Sequence, residues 1–183
     1  MYNVLFIHFF KTSQIKLTNN FNITRCFVFS NDIEKIDINE YDIILLGPGK
    51  SKLNPKACDL LKYVPKLEPI LRSKHKKIVG LCYGMQILCN MYNYKQIKLK
   101  TRHKTTIKKK IKGMNTLKLR FNHKYFCRNV KNTLNTIVIK DNNNAVKIPT
   151  FVKFSKNHYG VQFHFTNKKD RSLFLLKILE GNL

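Results

Sequence analysis

The chain has 183 residues, 43% of them hydrophobic, which suits one domain with a sizeable core and excludes a disordered or fibrous protein. No N-terminal apolar stretch with a cleavage site is seen and no run approaches the roughly 18 apolar residues that span a bilayer, so a soluble, cytoplasmic chain without a membrane partner is expected. A net charge of +25 points on its own to nucleic acid, but Lys is spread everywhere beside many Asn and Ile, as an A/T-rich coding sequence produces, and the densest basic run, Lys98 to Lys112, lacks interleaved aromatics to stack bases, so nucleic acid is not the expected partner.

In chain order, Tyr2 to Phe10 reads as a first buried strand, followed by a short polar helical stretch near Thr12 to Thr18 and a second strand at Thr24 to Phe29. Asp42 to Leu46 is a third strand. Asn54-Pro55 then starts a helix carrying Ala57, Leu60 and Leu61, with Asn54 as N-cap and Pro55 at the first helical position. Lys77 to Leu81 is a fourth strand and Met85 to Met91 an apolar helix. Beyond it, Thr116 to Phe121, Thr136 to Ile139, Thr150 to Phe154 and Tyr159 to Phe163 are strand-like and separated by polar turns such as Asp141 to Asn144, which reads as an antiparallel half. Arg171 to Leu179 has apolar residues at helical spacing. The alternation of strands and helices predicts a three-layer α/β fold with a mostly parallel open sheet flanked by helices and an antiparallel extension. With no repeat, linker or composition break, residues 1–183 form a single domain on this reading.

Two motifs carry chemistry. Gly80-Leu81-Cys82-Tyr83-Gly84-Met85-Gln86 places a cysteine on a strand-to-helix turn between glycines, the position of a nucleophile elbow, where a helix N-terminus favours thiolate and offers backbone N–H groups to an oxyanion. Tyr159-Gly160-Val161-Gln162-Phe163-His164 is a buried strand ending in a histidine able to meet that cysteine in space. Gly47-Pro48-Gly49 follows the apolar run Ile43 to Leu46 as a candidate loop at the same site. The five cysteines are odd in number with no C-x-x-C pair, so reduced thiols and no metal site are expected.

Together these segments resemble the class I, or triad, glutamine amidotransferases, whose pattern includes G-x-C-x-G-x-Q and a late G-V-Q-F-H. The resemblance implies an enzyme that hydrolyses L-glutamine, with Cys82 as nucleophile, His164 as base and then acid, and an oxyanion hole made by the N–H groups of Gly49 and Tyr83. It implies that Gln86 contacts substrate, and Asn122-His123-Lys124-Tyr125 resembles the N-H-G-[FY] segment that binds the amino acid end of the substrate, with Lys124 replacing the glycine. Where the family has His-Pro-Glu, this chain has His164-Phe165-Thr166; Thr166 stands in the place of the triad glutamate and cannot supply its charge, so reduced glutaminase activity is expected.

The family feeds ammonia to a synthase, and no acceptor chemistry follows in this sequence, so a separate large subunit is the expected partner. The spacing of Cys82 to His103 and Asn122-His123 favours the small subunit of carbamoyl-phosphate synthetase. Cys82 to Gln86 and Tyr159 to Gln162 look like the amidotransferase subunit of GMP synthetase, and anthranilate synthase component II and the imidazole glycerol phosphate synthase glutaminase also fit by size. This chain is expected to need no cofactor, with ATP and Mg on the partner for the first two types. The readings from other classes are a polyanion-binding module and a catalytically decayed, noncatalytic subunit.

Overall fold

The structure is a computed structural model that describes residues 1–9, 14–47, 49 and 64–183. Strands Tyr2–His8 (β1), Phe21–Phe27 (β2), Ile43–Leu46 (β3) and Lys77–Leu81 (β4) form its first half, with helix Leu67–Arg72 (α1) before β4 and Tyr83–Met91 (α2) after it. Strands Gln96–Lys110 (β5), Thr116–Cys127 (β6), Thr133–Asp141 (β7), Asn144–Lys153 (β8), His158–Val161 (β9) and His164–Phe165 (β10) follow, and helix Lys168–Leu179 (α3) closes the chain. One seven-stranded sheet has the order β2-β1-β3-β4-β9-β8-β7, parallel from β2 through β9 and antiparallel at β8 and β7. A second, antiparallel sheet has the order β10-β6-β5.

The central strands are apolar throughout because both of their faces are covered. Alternate residues of β1 go to opposite cores: Val4 and Phe6 pack with β6, Phe163 and α3, whereas Leu5 and Ile7 pack with α1 and α2. This division makes the three layers. Phe174 anchors α3, fully buried with its ring 5.3 Å from that of Phe151 and 5.1 Å from that of Phe165. The helix is bounded by local chemistry. Asn167 accepts from the Asp170 N–H at 2.8 Å as N-cap, and Gly181, at φ +77°, ends it with Asn182 N–H on the Lys177 carbonyl. The β7–β8 turn uses Asn142 and Asn143, both at positive φ, which a two-residue hairpin turn requires.

The expected fold class is observed, with differences in detail. The basic run from Lys98 lies in a 15-residue strand, β5, whose inward positions are Ile97, Leu99, His103, Thr105, Ile107 and Lys109; polar residues fill half of them, so the period-2 signal is weak in the sequence. The antiparallel half also splits into a hairpin extension and a separate sheet. Of the stretch near Thr12 to Thr18, Gln14 to Thr18 is not helical: Ile15 is buried, and Lys16 carbonyl and Thr18 N–H are taken by Arg171 and Ser172 of α3. The helix expected from Asn54-Pro55 lies outside the described residues, as does Pro48. Cys89 on α2 and Cys127 at the end of β6, both fully buried with Cα atoms 6.2 Å apart, are joined as a disulfide, in contrast to the reduced thiols expected from their wide spacing; only the tertiary fold brings α2 against β6. Among the described residues, no helix is long and apolar enough to cross a membrane.

Candidate active site

Parallel pairing of β4 with β9, Leu81 opposite Val161, sets the two motifs side by side at the carboxyl ends of the strands. Cys82 is the turn between β4 and α2. Its φ of 54° and ψ of −99° lie in a region that L residues rarely adopt, the strained geometry of a nucleophile elbow. The turn is held from both sides, with Cys82 N–H donating to the Val161 carbonyl at 2.7 Å and Gln86 N–H to the Cys82 carbonyl at 3.2 Å. Gly84 allows α2 to approach β3, because a Cβ there would sit 2.4 Å from the Leu46 carbonyl oxygen. Gly49 and Tyr83 are also brought together: a Cβ on Gly49 would lie 2.5 Å from the Tyr83 ring.

The side chain of Cys82 is 6% exposed, and its sulfur accepts from Gln162 Nε2 at 3.6 Å. Burial pushes the thiol up to about 11, and this outweighs the lowering by the Tyr83 N–H, the Gln162 amide and the Arg102 charge. The N–H at the helix start pulls toward thiolate, as the sequence suggests, and burial pulls the other way.

His164 opens β10, directly opposite Arg120 of β6, and lines a small pocket of about 70 Å³ with Phe6, Leu81 and Arg171. Burial first, then the Arg120 and Arg171 guanidiniums, hold the imidazole down at about 4. Among the described residues no hydrogen bond joins His164 to Cys82. Thr166 does not reach the imidazole either; its hydroxyl donates to the Lys118 carbonyl at 3.0 Å. Both shifts thus oppose moving the thiol proton to the imidazole. Burial favours the neutral form of both the cysteine and the histidine.

The expected substrate-binding residues lie along α2 and β6. Gln86, buried one turn after Cys82, donates its amide to the Tyr125 main-chain carbonyl at 3.0 Å, and its own carbonyl accepts from Gln96. Asn122 accepts from Arg102 at 3.2 Å, and Lys124 and Tyr125 are half-buried beside it. His123, 3% exposed, has its ring 5.3 Å from that of His103, Nδ1 on the Tyr125 carbonyl and Nε2 without a partner; burial holds it at about 4. Gln162, Arg120 and Arg171 were not singled out in the sequence. Gln162 had a signal in its place two residues before His164, whereas the arginines are assigned only by the β10–β6 pairing and the docking of α3. No three His, Cys, Asp or Glu side chains converge on a metal-binding geometry among the described residues.

Residues 9–169 match the family model described as glutamine amidotransferase class-I. The fold is similar to that of a protein from Thermoplasma acidophilum described as a GMP synthase component, with TM-score 0.64 and 13% identity over 100% of this chain and 96% of that one. It is similar to PurLQS from Thermotoga maritima, with TM-score 0.67 and 15% identity over all of both chains. A glutamine amidotransferase from Thermotoga maritima gives TM-score 0.58 and 12% identity over 89% of this chain and 75% of that one. No curated protein matches in sequence.

Proposed function

Since the chain belongs to the class I glutamine amidotransferase family, we propose that it hydrolyses L-glutamine through a Cys82 thioester and passes the ammonia to a separate synthase subunit. The observation that carries this reading is the elbow itself: Cys82 is held in a strained backbone conformation, at the carboxyl ends of the parallel strands and the start of a helix. Cys82 sulfur attacks the amide carbon, His164 takes the thiol proton and returns it to the departing ammonia, and water then releases glutamate and restores the thiol. The N–H groups of Tyr83 and Gly49 receive the oxyanion. Gln86, Asn122, Lys124 and Tyr125 border the glutamine. A neutral, buried thiol and an imidazole flanked by two guanidiniums make the chain nearly silent alone, and activity develops when a partner closes the site.

The acceptor belongs to the carbamoyl-phosphate synthetase type, supported by the Asn122-His123-Lys124-Tyr125 segment, with ATP and Mg²⁺ used by the large subunit. GMP synthetase, anthranilate synthase and imidazole glycerol phosphate synthase are the alternatives that identification of the co-purifying synthase separates. The test is ammonia release from glutamine by the chain co-expressed with its partner, wild type beside Cys82→Ala. Cys82-dependent release is expected. A partner that uses ammonium salt but gains nothing from glutamine would instead favour a noncatalytic subunit, the reading that the two arginines beside His164 support.

A further inference from the structure

The β10-β6-β5 sheet has two unlike faces. Leu117, Leu119 and Phe121 of β6 point into the core. On the other face β5 presents Lys104, Thr106, Lys108 and Lys110, paired in register with Asn122, Arg120, Lys118 and Thr116 of β6. Lys108 sits directly opposite Lys118, a like-charge pair that destabilises an isolated sheet. Nothing in the neighbouring sequence offsets it, for no Asp or Glu occurs between Glu68 and Asp141, and Asp141 is bound to the Lys100 and Thr101 N–H groups. Acidic residues gather instead from Asp32 to Asp42, ahead of β3. A general rise in lysine explains a basic chain; it does not explain a face cleared of acids.

This face runs up to the candidate active site, since Thr106, Arg120 and His164 are successive cross-strand neighbours. Behind His164, Arg171 is fixed by the Lys16 carbonyl at 2.7 Å and the Phe165 carbonyl at 3.2 Å. It walls both the His164 pocket and an adjoining cleft of about 350 Å³ that also takes in Lys16, Thr166 and Lys168. Among the described residues the ion pairs are Lys66 with Glu34 and Arg72 with Glu68, so neither Arg120 nor Arg171 has a carboxylate. Thr166, which stands where the family's carboxylate would be, has its hydroxyl on Lys118.

Resting on the glutaminase reading, we propose that the synthase partner docks an acidic surface on the outer β5–β6 face and lays one of its carboxylates between Arg120 and Arg171 beside His164, completing the triad in trans. The carboxylate neutralises the two cations and favours the imidazolium, which the proton transfer from Cys82 requires. An opposite charge within hydrogen-bonding range raises a titration midpoint by about one to three pH units. Among the described residues, the charged or titratable groups that face His164 are Arg120 and His123 from β6 and Arg171 from α3, and the incoming carboxylate adds an acid to that set.

The test follows the His164 imidazole by nitrogen NMR in the full chain, assigned by His164→Gln, with sodium acetate against sodium chloride at equal ionic strength and then with a glutamate-rich peptide. Acetate should raise the midpoint by about one to three pH units, and the peptide should do so at far lower carboxylate concentration. Arg120→Gln, an exposed substitution, should weaken both responses at least several-fold; Lys108→Gln with Lys118→Gln should weaken only the peptide's. A midpoint that ignores acetate and peptide overturns the proposal. A peptide no more effective per carboxylate than acetate, or duplex DNA that binds the face while His164 stays unmoved by peptide, overturns the docking surface. Ammonia release with the partner is measured in parallel: Cys82-dependent release with an unresponsive His164 refutes the trans carboxylate alone, whereas a responsive His164 without release refutes the glutaminase reading alone.

Discussion

Comparing Cys82→Gly with Cys82→Ala isolates the backbone strain of the elbow. Both variants remove the sulfur, its burial and its contact with Gln162, so those losses cancel in the comparison. At an ordinary position glycine is less stable than alanine by about 0.5–1 kcal/mol, because the unfolded chain gains freedom. At φ 54° and ψ −99° an alanine keeps the strain of the native turn, on the order of 1–3 kcal/mol, and glycine releases it. The difference offsets or reverses the usual order and makes the glycine variant more stable by up to about 2.5 kcal/mol. With a urea slope of about 2 kcal/mol per molar, its midpoint lies up to about 1.3 M higher. Urea unfolding of the two variants, followed by circular dichroism with equal slopes, is the assay. A glycine variant that unfolds at lower urea than the alanine variant would refute the strained elbow.

The remaining predictions concern protons and packing. His123 and His164 have folded values near 4, below the usual 6.5, so the unfolded chain binds more protons between those values; stability is fully present above about pH 6.5 and falls as pH drops toward 4. For buried His123 the loss is on the order of 3 kcal/mol, and His123→Gln and His164→Gln should each flatten the pH dependence of the unfolding midpoint. Cys82, raised from 9.0 to about 11, should alkylate with iodoacetamide at pH 7.5 on the order of 100-fold slower than in the denatured chain, read by peptide mass spectrometry; equal rates would contradict the buried neutral thiol. Phe174→Ala should cost about 3–5 kcal/mol by undocking α3 from Phe151 and Phe165, whereas Leu173→Ala, on the exposed side of the same helix, should stay within about 0.5 kcal/mol. Peptide mapping without reductant should recover the segments bearing Cys89 and Cys127 linked, with Cys26 free.

The legible parts of this protein were those written in local chemistry. The continuous apolar runs of β1, β3 and β4 can only be strands covered on both faces, and glycines at 80 and 84 around Cys82 announce a tight turn from strand to helix. Asn142-Asn143 states its own hairpin. By contrast, β5 is the edge strand of the second sheet and carries histidine, threonine and lysine among its half-buried positions, so its period is lost among the lysines. Site chemistry divides in the same way. Residue types alone mark Cys82 and His164 and the want of a carboxylate after the histidine. Which charges surround them is decided by strand register and helix docking: Arg120 faces His164 only because β10 pairs with β6 at that residue, Arg171 only because α3 packs across Phe165, and Gln162 meets the sulfur only because β9 lies beside β4. Backbone conformation and hydrophobic period act over a few residues and are therefore determined by the sequence itself; burial and electrostatics sum over groups far apart in the chain, so the direction in which Cys82 and His164 shift is set by the tertiary structure.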